Sequence, residues 1–273
     1  MTVKEALEWG RQSLQDHCER PQFEAELLLA YHLNKERTYL ILHPDKPVPD
    51  LAGYEQLIYR RASHEPYEYI VGEASFYDID LKVAPGVLIP RPETELLIDE
   101  VSRIIEEEKI TSVAEIGVGS GAISVVLARK FPNLKIIATD ICDMPLQIAA
   151  QNAQRWGVSS HIELQKSNLL DALHEPVEMV VSNPPYIAAD APLQANVAEY
   201  EPKEALFGGE KGDELLKEII DTVKARGIKW LACEMGYDQK APIQAYVNEI
   251  GVKSIVFYKD LAGHDRGFVI EFM

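Results

Sequence analysis

Beyond Thr111 the chain takes turns between short apolar runs and helical patterns, and this alternation restricts its possible folds more than any other feature. Apolar runs of strand length fall at 112–116, 134–139, 161–165, 177–182, 229–235, 252–258 and 267–272. Patterns of helical period separate most of them, at about 121–130, 144–156, 213–226 and 238–249. A strand that returns through a helix lies parallel to its predecessor, so the repeat implies a mainly parallel sheet with helices on both faces. The last two runs are joined only by KDLAGHDRG (Lys259–Gly267), too short for a crossover helix, which makes that pair antiparallel. The expectation is an α/β fold with a Rossmann-like, seven-stranded, mostly parallel sheet whose last strand is reversed.

The region before this repeat has a different period. Thr2 and Glu5 have capping-box spacing ahead of Ala6, Leu7 and Leu14. Phe23, Leu27, Leu28 and Tyr31 recur on one helical face, as do Leu51, Tyr54, Leu57, Ile58 and Arg61. HPDKPVPD (His43–Asp50) breaks the helices between them. From Tyr69, YIVGEASFYDIDLKV alternates as two short strands would, with a turn at Ala84–Gly86, and Leu96, Leu97, Val101, Ile104 and Ile105 mark a further amphipathic helix. The predicted division is a helical bundle over 1–68, a β-hairpin linker over 69–90 and the α/β domain over 91–273.

Composition narrows the class. No apolar run approaches the roughly 20 residues of a membrane span, and MTVKEALEWGRQ lacks the apolar core of a secretion signal. The cysteines, Cys18, Cys142 and Cys233, lie far apart with no CxxC pair, and the histidines show no ligand spacing. A cytoplasmic protein with reduced thiols and no metal centre is expected. The net charge of −17 disfavours a phosphate backbone as partner.

Two stretches carry chemistry. VAEIGVGSGAISVVLA turns from strand to helix on Gly117, Gly119 and Gly121, where a backbone without Cβ atoms lets a ligand approach the free N–H groups of a helix start. The next strand ends in IIATD and places Asp140 at its tip, where a carboxylate can accept both hydroxyls of a ribose. Gly117, Gly119 and Ala122 also satisfy a dinucleotide pattern, so NAD stays open on these residues alone. Glu115 points instead to a ligand with an ammonium, and S-adenosylmethionine offers ribose, adenine, ammonium and carboxylate without phosphate.

The second stretch is VVSNPPYIAAD (Val180–Asp190). Pro184 and Pro185 cannot continue a ladder, so the strand ends on Asn183. In an open parallel sheet that tip faces the ligand crevice. The Asn183 carbonyl and the backbone carbonyl of Pro184 make two acceptors matched to one NH₂ group, and Tyr186 can cover its flat face. Acceptors on both N–H bonds aim a weakly nucleophilic nitrogen at an electrophilic methyl carbon. The chemistry indicated is methyl transfer to nitrogen.

NPPY, EIGVGSG and the upstream FYDIDLKVAPGVLIPRPETE together resemble the PrmC/HemK family of protein-(glutamine-N5) methyltransferases, over essentially the whole chain. NPPY alone is shared with adenine-N6 methyltransferases; its combination with IPRPETE and a helical N-terminal domain is more specific. The resemblance implies a class I S-adenosylmethionine-dependent methyltransferase that modifies the glutamine of the Gly-Gly-Gln motif in class-1 peptide chain release factors. It implies cofactor contacts from Glu115, Gly117, Val118, Gly119, Ser120, Gly121, Asp140, Asn168, Leu169 and Asn183, with S-adenosylhomocysteine as product. It implies that Asn183, Pro184, Pro185 and Tyr186 hold the glutamine amide, and that Arg91, Glu93 and Glu95 lie near the cofactor and substrate mouth. Glu115 stands where aspartate is common, Asn168 at a usually acidic site, and KARGIKW replaces the Gly-Gly turn usual before the fifth strand. A monomer that binds neither nucleic acid nor membrane is expected. The competing readings are an adenine-N6 methyltransferase of DNA or RNA and a non-catalytic adaptor that binds a nucleoside cofactor.

Overall fold

In the computed structural model, which describes residues 1–273, the chain divides into two compact units. Met1–Glu73 and Leu193–Tyr200 form the first; Ala74–Pro192 and Glu201–Met273 form the second.

The first unit begins with α1 (Val3–Leu14), α2 (Pro21–Leu33), α3 (Arg37–Leu42), α4 (Leu51–Ala62) and α5 (Tyr67–Val71). The capping box is formed: Glu5 N–H donates to Thr2 Oγ1 at 3.3 Å and Thr2 N–H to the Glu5 carboxylate at 2.8 Å. Leu14, Leu28, Leu29, Tyr54 and Ile58 are wholly buried between the helices. One sequence expectation fails locally. Tyr69–Val71 is helix, because Pro66 starts a turn there and Gly72, at φ +78°, ends it.

The hairpin β1 (Glu73–Phe76) and β2 (Ile79–Lys82) comes next, and from Ala74 onward it lies in the second unit. Its two strands turn at Tyr77–Asp78, with Tyr77 at φ +56°, and the turn expected at Ala84–Gly86 forms after them, where the Val87 N–H donates to the Ala84 carbonyl at 3.1 Å. Phe76, Ile79 and Leu81 belong to the main core of the second unit, so the hairpin is part of that unit and not a free-standing linker. There follow α6 (Thr94–Glu108), β3 (Ser112–Ile116), α7 (Ala122–Lys130), β4 (Lys135–Asp140), α8 (Asp143–Arg155), β5 (Ile162–Lys166), β6 (Met179–Ser182) and the two-residue β7 (Ile187–Ala188). Next comes α9 (Ala195–Tyr200), which groups with the first unit, where the Tyr200 hydroxyl donates to the Ser63 carbonyl at 2.7 Å. The chain closes with β8 (Phe207–Gly209), α10 (Glu214–Ala225), β9 (Trp230–Glu234), α11 (Lys240–Ile250), β10 (Ser254–Lys259) and β11 (Asp265–Glu271).

Seven strands form one sheet in the order β10-β11-β9-β6-β3-β4-β5. β11 runs antiparallel to both neighbours, while the β9–β6, β6–β3, β3–β4 and β4–β5 pairs are parallel, as the short final connection requires. Alternate residues point to opposite faces. Val113, Ile136 and Met179 enter one core, and Ala114, Ile137 and Val180 the other. Strand order reverses beside β3, since β4 follows on one flank and β6 returns on the other. The carboxyl ends of β3, β4, β5 and β6 therefore open on one crevice, the place where open α/β sheets bind ligands. No helix is long and apolar enough to cross a membrane.

Candidate active site

At those carboxyl ends lies a cleft that opens to solvent, with about 880 Å³ of empty space counted out to its mouth. The loop after β3 forms its floor. Gly117 and Val118 N–H both donate to the Thr139 carbonyl at 2.9 Å, which folds the loop back onto β4. Gly119 sits at φ +54°, a region that L side chains enter only with strain, and its N–H donates to Asp140 Oδ2 at 3.2 Å. Cys142 N–H donates to the other carboxylate oxygen at 3.0 Å. Burial raises the Asp140 carboxyl above its usual range, and these backbone donors oppose the shift. Asn168 and Leu169 form part of the wall; Leu169 is also left-handed, at φ +45°, and its carbonyl accepts from the Thr139 hydroxyl at 2.9 Å.

The tip of β6 is held from behind. Ser182 Oγ donates to the Ile116 carbonyl at 2.8 Å, tying β6 to β3 one residue before the asparagine. Asn183 Nδ2 donates to Thr94 Oγ1 at 2.9 Å, and Thr94 Oγ1 donates to Glu234 Oε2 at 2.7 Å. The Tyr186 hydroxyl donates to Glu234 Oε1 at 2.9 Å, while the Tyr186 carbonyl accepts from Gln239 Nε2 at 2.8 Å. Glu234 is 1% exposed, and burial pushes its carboxyl up to about 7 against the Thr94 and Tyr186 hydrogen bonds.

Of the residues expected from sequence, Gly117, Gly119, Asp140, Asn168, Leu169, Asn183, Pro184 and Pro185 line this cleft together. The others are placed elsewhere. Glu115 is turned into the protein, where both the N–H and the hydroxyl of Ser124 donate to it and burial pushes it up to about 8. Val118 and Ser120 are buried, and Gly121 caps α7 against Ala149. Tyr186 packs on the core with its hydroxyl on Glu234 and does not face the cleft. Arg91 is paired with the buried Glu201, Glu93 lies 3.5 Å from Arg266, and Glu95 accepts the Tyr77 N–H at 2.8 Å; none lines the cleft. Sequence reasoning missed Gly86, Leu88, Ile141, Pro202 and Glu204 as lining residues. It also missed Thr94 and Glu234. Glu234 had a signal, a carboxylate closing the apolar run WLACE just as Asp140 closes IIATD.

The sheet order, the glycine turn after β3 and the acid at the tip of β4 define a class I methyltransferase. Solved structures share that fold: the N-terminal domain of human METTL16 in complex with SAH (TM-score 0.53, 20% identity, 71% of this chain and 75% of that one) and ribosomal protein L11 methylase from Lactobacillus delbrueckii subsp. bulgaricus (0.51, 22%, 70% and 84%). Residues 5–72 match the PrmC N-terminal domain and residues 92–200 the methyltransferase small domain. The chain is 38% identical over 262 residues to the release factor glutamine methyltransferase of Koribacter versatilis, covering 91% of both. It is 33% identical over 277 residues to that of Vibrio cholerae, covering 97% of this chain and 95% of the relative. The chain belongs to the release factor glutamine methyltransferase family.

Proposed function

We propose that this chain methylates the side-chain amide nitrogen of the glutamine in the Gly-Gly-Gln motif of class-1 peptide chain release factors, with S-adenosyl-L-methionine as donor and S-adenosyl-L-homocysteine as product. One observation carries the reading. Asn183 spends its Nδ2 on Thr94 and so keeps its carbonyl oxygen for a ligand at the edge of a cleft that continues to Asp140.

The cleft suits that donor. Asp140 uses one lone pair of each oxygen on backbone N–H groups and retains acceptor capacity for two ribose hydroxyls. Ile141, Leu169 and Pro202 offer apolar surface to a purine, and the lining holds two carboxylates, Asp140 and Glu204, but no lysine, arginine or histidine. Such a wall favours a cationic ligand over a pyrophosphate, which weighs against NAD.

When bound, the donor supplies an electrophilic methyl carbon on a positively charged sulfur. Asn183 Oδ1 and the Pro184 carbonyl accept the two N–H bonds of the glutamine amide, aim its nitrogen and spread the positive charge that grows on it. With Asp140 holding the ribose and Asn183 and Pro184 the amide, the donor would give its methyl group to that nitrogen and leave as the neutral thioether, which would retain the bonding pair, and the surplus proton would pass to water. The reaction takes place in the cytoplasm, where release factors act, and the first unit holds a second region of the release factor.

Adenine-N6 methylation would use the same strand tip on an exocyclic amine, but a chain of net charge −17 offers a phosphate backbone little. Incubation with radiolabelled donor and either a purified class-1 release factor or nucleic acid separates the readings. Label in the protein is expected; label in nucleic acid alone would overturn the proposal.

The loop that carries the prolines makes a further testable demand. A Cβ on Gly208 would lie 2.4 Å from the Pro185 carbonyl oxygen and 2.9 Å from Tyr186 Cα, both backbone atoms. Gly208→Ala is expected to destabilise the chain by about 1–3 kcal/mol, the usual result of overpacking, and to lower kcat more than donor affinity. Thermal melts and steady-state kinetics measure both.

A further inference from the structure

Behind the strand tip, four side chains form one hydrogen-bonded chain: Asn183, Thr94, Glu234 and Tyr186. Its members come from the loop after β6, from the first turn of α6 and from the end of β9. None of the last three faces the cleft, and only Asn183 touches it. We propose that Glu234 is a positioning residue that acts through Thr94 to set which end of the Asn183 carboxamide faces the substrate; this inference rests on the methyl-transfer reading above.

The hydrogens available to these groups fix the direction of each bond. An ionised carboxylate only accepts, so Thr94 must give its single hydroxyl hydrogen to Glu234 Oε2 and Tyr186 must give its own to Oε1. With its hydrogen committed, Thr94 Oγ1 can only accept from Asn183, which draws the NH₂ end of the carboxamide backwards and leaves Oδ1 forward. An oxygen facing the cleft accepts a hydrogen bond from the glutamine NH₂. An NH₂ group there would set donor against donor and hold the reacting nitrogen away.

Protonation of Glu234 changes those directions. A proton on Oε2 is donated to Thr94, which frees the threonine hydrogen for Asn183 and favours the reversed carboxamide. A proton on Oε1 displaces Tyr186. The charged groups facing Glu234 are Glu93, ahead of α6, which favours the protonated form, and Arg266, on β11, which favours the ionised one. Arg266 is itself tied to Asp260 at 2.8 Å. Tyr258, on β10, also feels Glu234, but burial raises its phenol well above its usual range and keeps it neutral. Since burial pushes Glu234 up to about 7, the competent carboxylate gains population as pH rises from 6 to 8, and kcat rises with it.

The test is the pH profile of kcat with a class-1 release factor, for wild type, Glu234→Gln, Thr94→Val, Thr94→Ser and Tyr186→Phe, with donor Kd and melting temperature measured alongside. Wild type shows an acid limb near 7. Glu234→Gln has one donor and one acceptor where two acceptors are needed; it lowers kcat about 10- to 100-fold, the scale of one hydrogen bond to a charged group, and its acid limb disappears. Thr94→Val loses a comparable amount and Thr94→Ser recovers much of it. Tyr186→Phe removes a bond to the ionised form and moves the limb to higher pH. Donor Kd stays within about threefold throughout, well below the loss of a charged hydrogen bond. An acid limb that persists unchanged in folded Glu234→Gln, or a Thr94→Val enzyme as fast as wild type, overturns the inference. A wild-type enzyme that transfers no methyl to any class-1 release factor overturns the functional reading instead.

Discussion

Replacing Asn183 with alanine lowers kcat for glutamine methylation by about 100- to 1,000-fold, the loss associated with one preorganised hydrogen-bonding group at a reacting centre, while the Kd for the methyl donor changes only a few-fold. The two effects are expected to separate because, in the proposed reaction, the asparagine oxygen would serve the nitrogen whose charge changes during transfer, whereas Asp140 would hold the donor's ribose elsewhere in the cleft. An amide nitrogen shares its lone pair with the adjoining carbonyl and attacks poorly unless it is aimed. The frame that aims it is rigid: Ser182 ties β6 to β3, Thr94 holds the Asn183 NH₂, and two prolines fix the backbone beyond. Alanine removes the acceptor and leaves that frame standing, so melting temperature should move little. Single-turnover kinetics with saturating donor, paired with calorimetric titration, measures both quantities. A non-catalytic adaptor would show no turnover for the substitution to reduce.

Asp140→Ala has the opposite signature. Donor affinity should fall by about 100-fold or more, because two ribose hydroxyls lose a charged acceptor and each such bond is worth about 1.5–3 kcal/mol. The variant also unties the glycine turn, since Gly119 and Cys142 N–H groups both donate to this carboxylate. Asp140→Asn keeps one acceptor oxygen and should fall between alanine and wild type. At saturating donor, kcat for either variant should recover to within about tenfold of wild type, a margin near one ordinary hydrogen bond. Titration with S-adenosyl-L-homocysteine reads the affinity without turnover. An unchanged Kd would show that the tip of β4 does not hold the ribose.

The α/β unit is legible in the sequence because its order is local: each strand is a short apolar run, each helix has its own period, and KDLAGHDRG is too short to cross the sheet. The strand tips are legible for the same reason, so Gly117, Gly119, Asp140 and Asn183 fall in one cleft as expected. What escapes is whatever depends on distant partners. Tyr69–Val71 alternates like a strand, yet Pro66 and Gly72 bound a helix there. Glu115 looks like a ligand-facing acid by its place beside the glycines, and only the nearness of Ser124 shows it turned inward. Thr94 and Glu234 are separated by 140 residues and meet solely because α6 packs beside the end of β9. No periodicity carries that contact. RPETE marks its first half, and the charge that ends WLACE marks its second, without linking them.

The most direct test of glutamine methylation is peptide mass mapping of a class-1 release factor after incubation with this enzyme and donor. The expected result is a single added methyl group, localised by fragmentation to the amide of the Gly-Gly-Gln glutamine and absent when Asn183→Ala is used. A methyl group on a lysine, on a chain terminus or on another glutamine would contradict it.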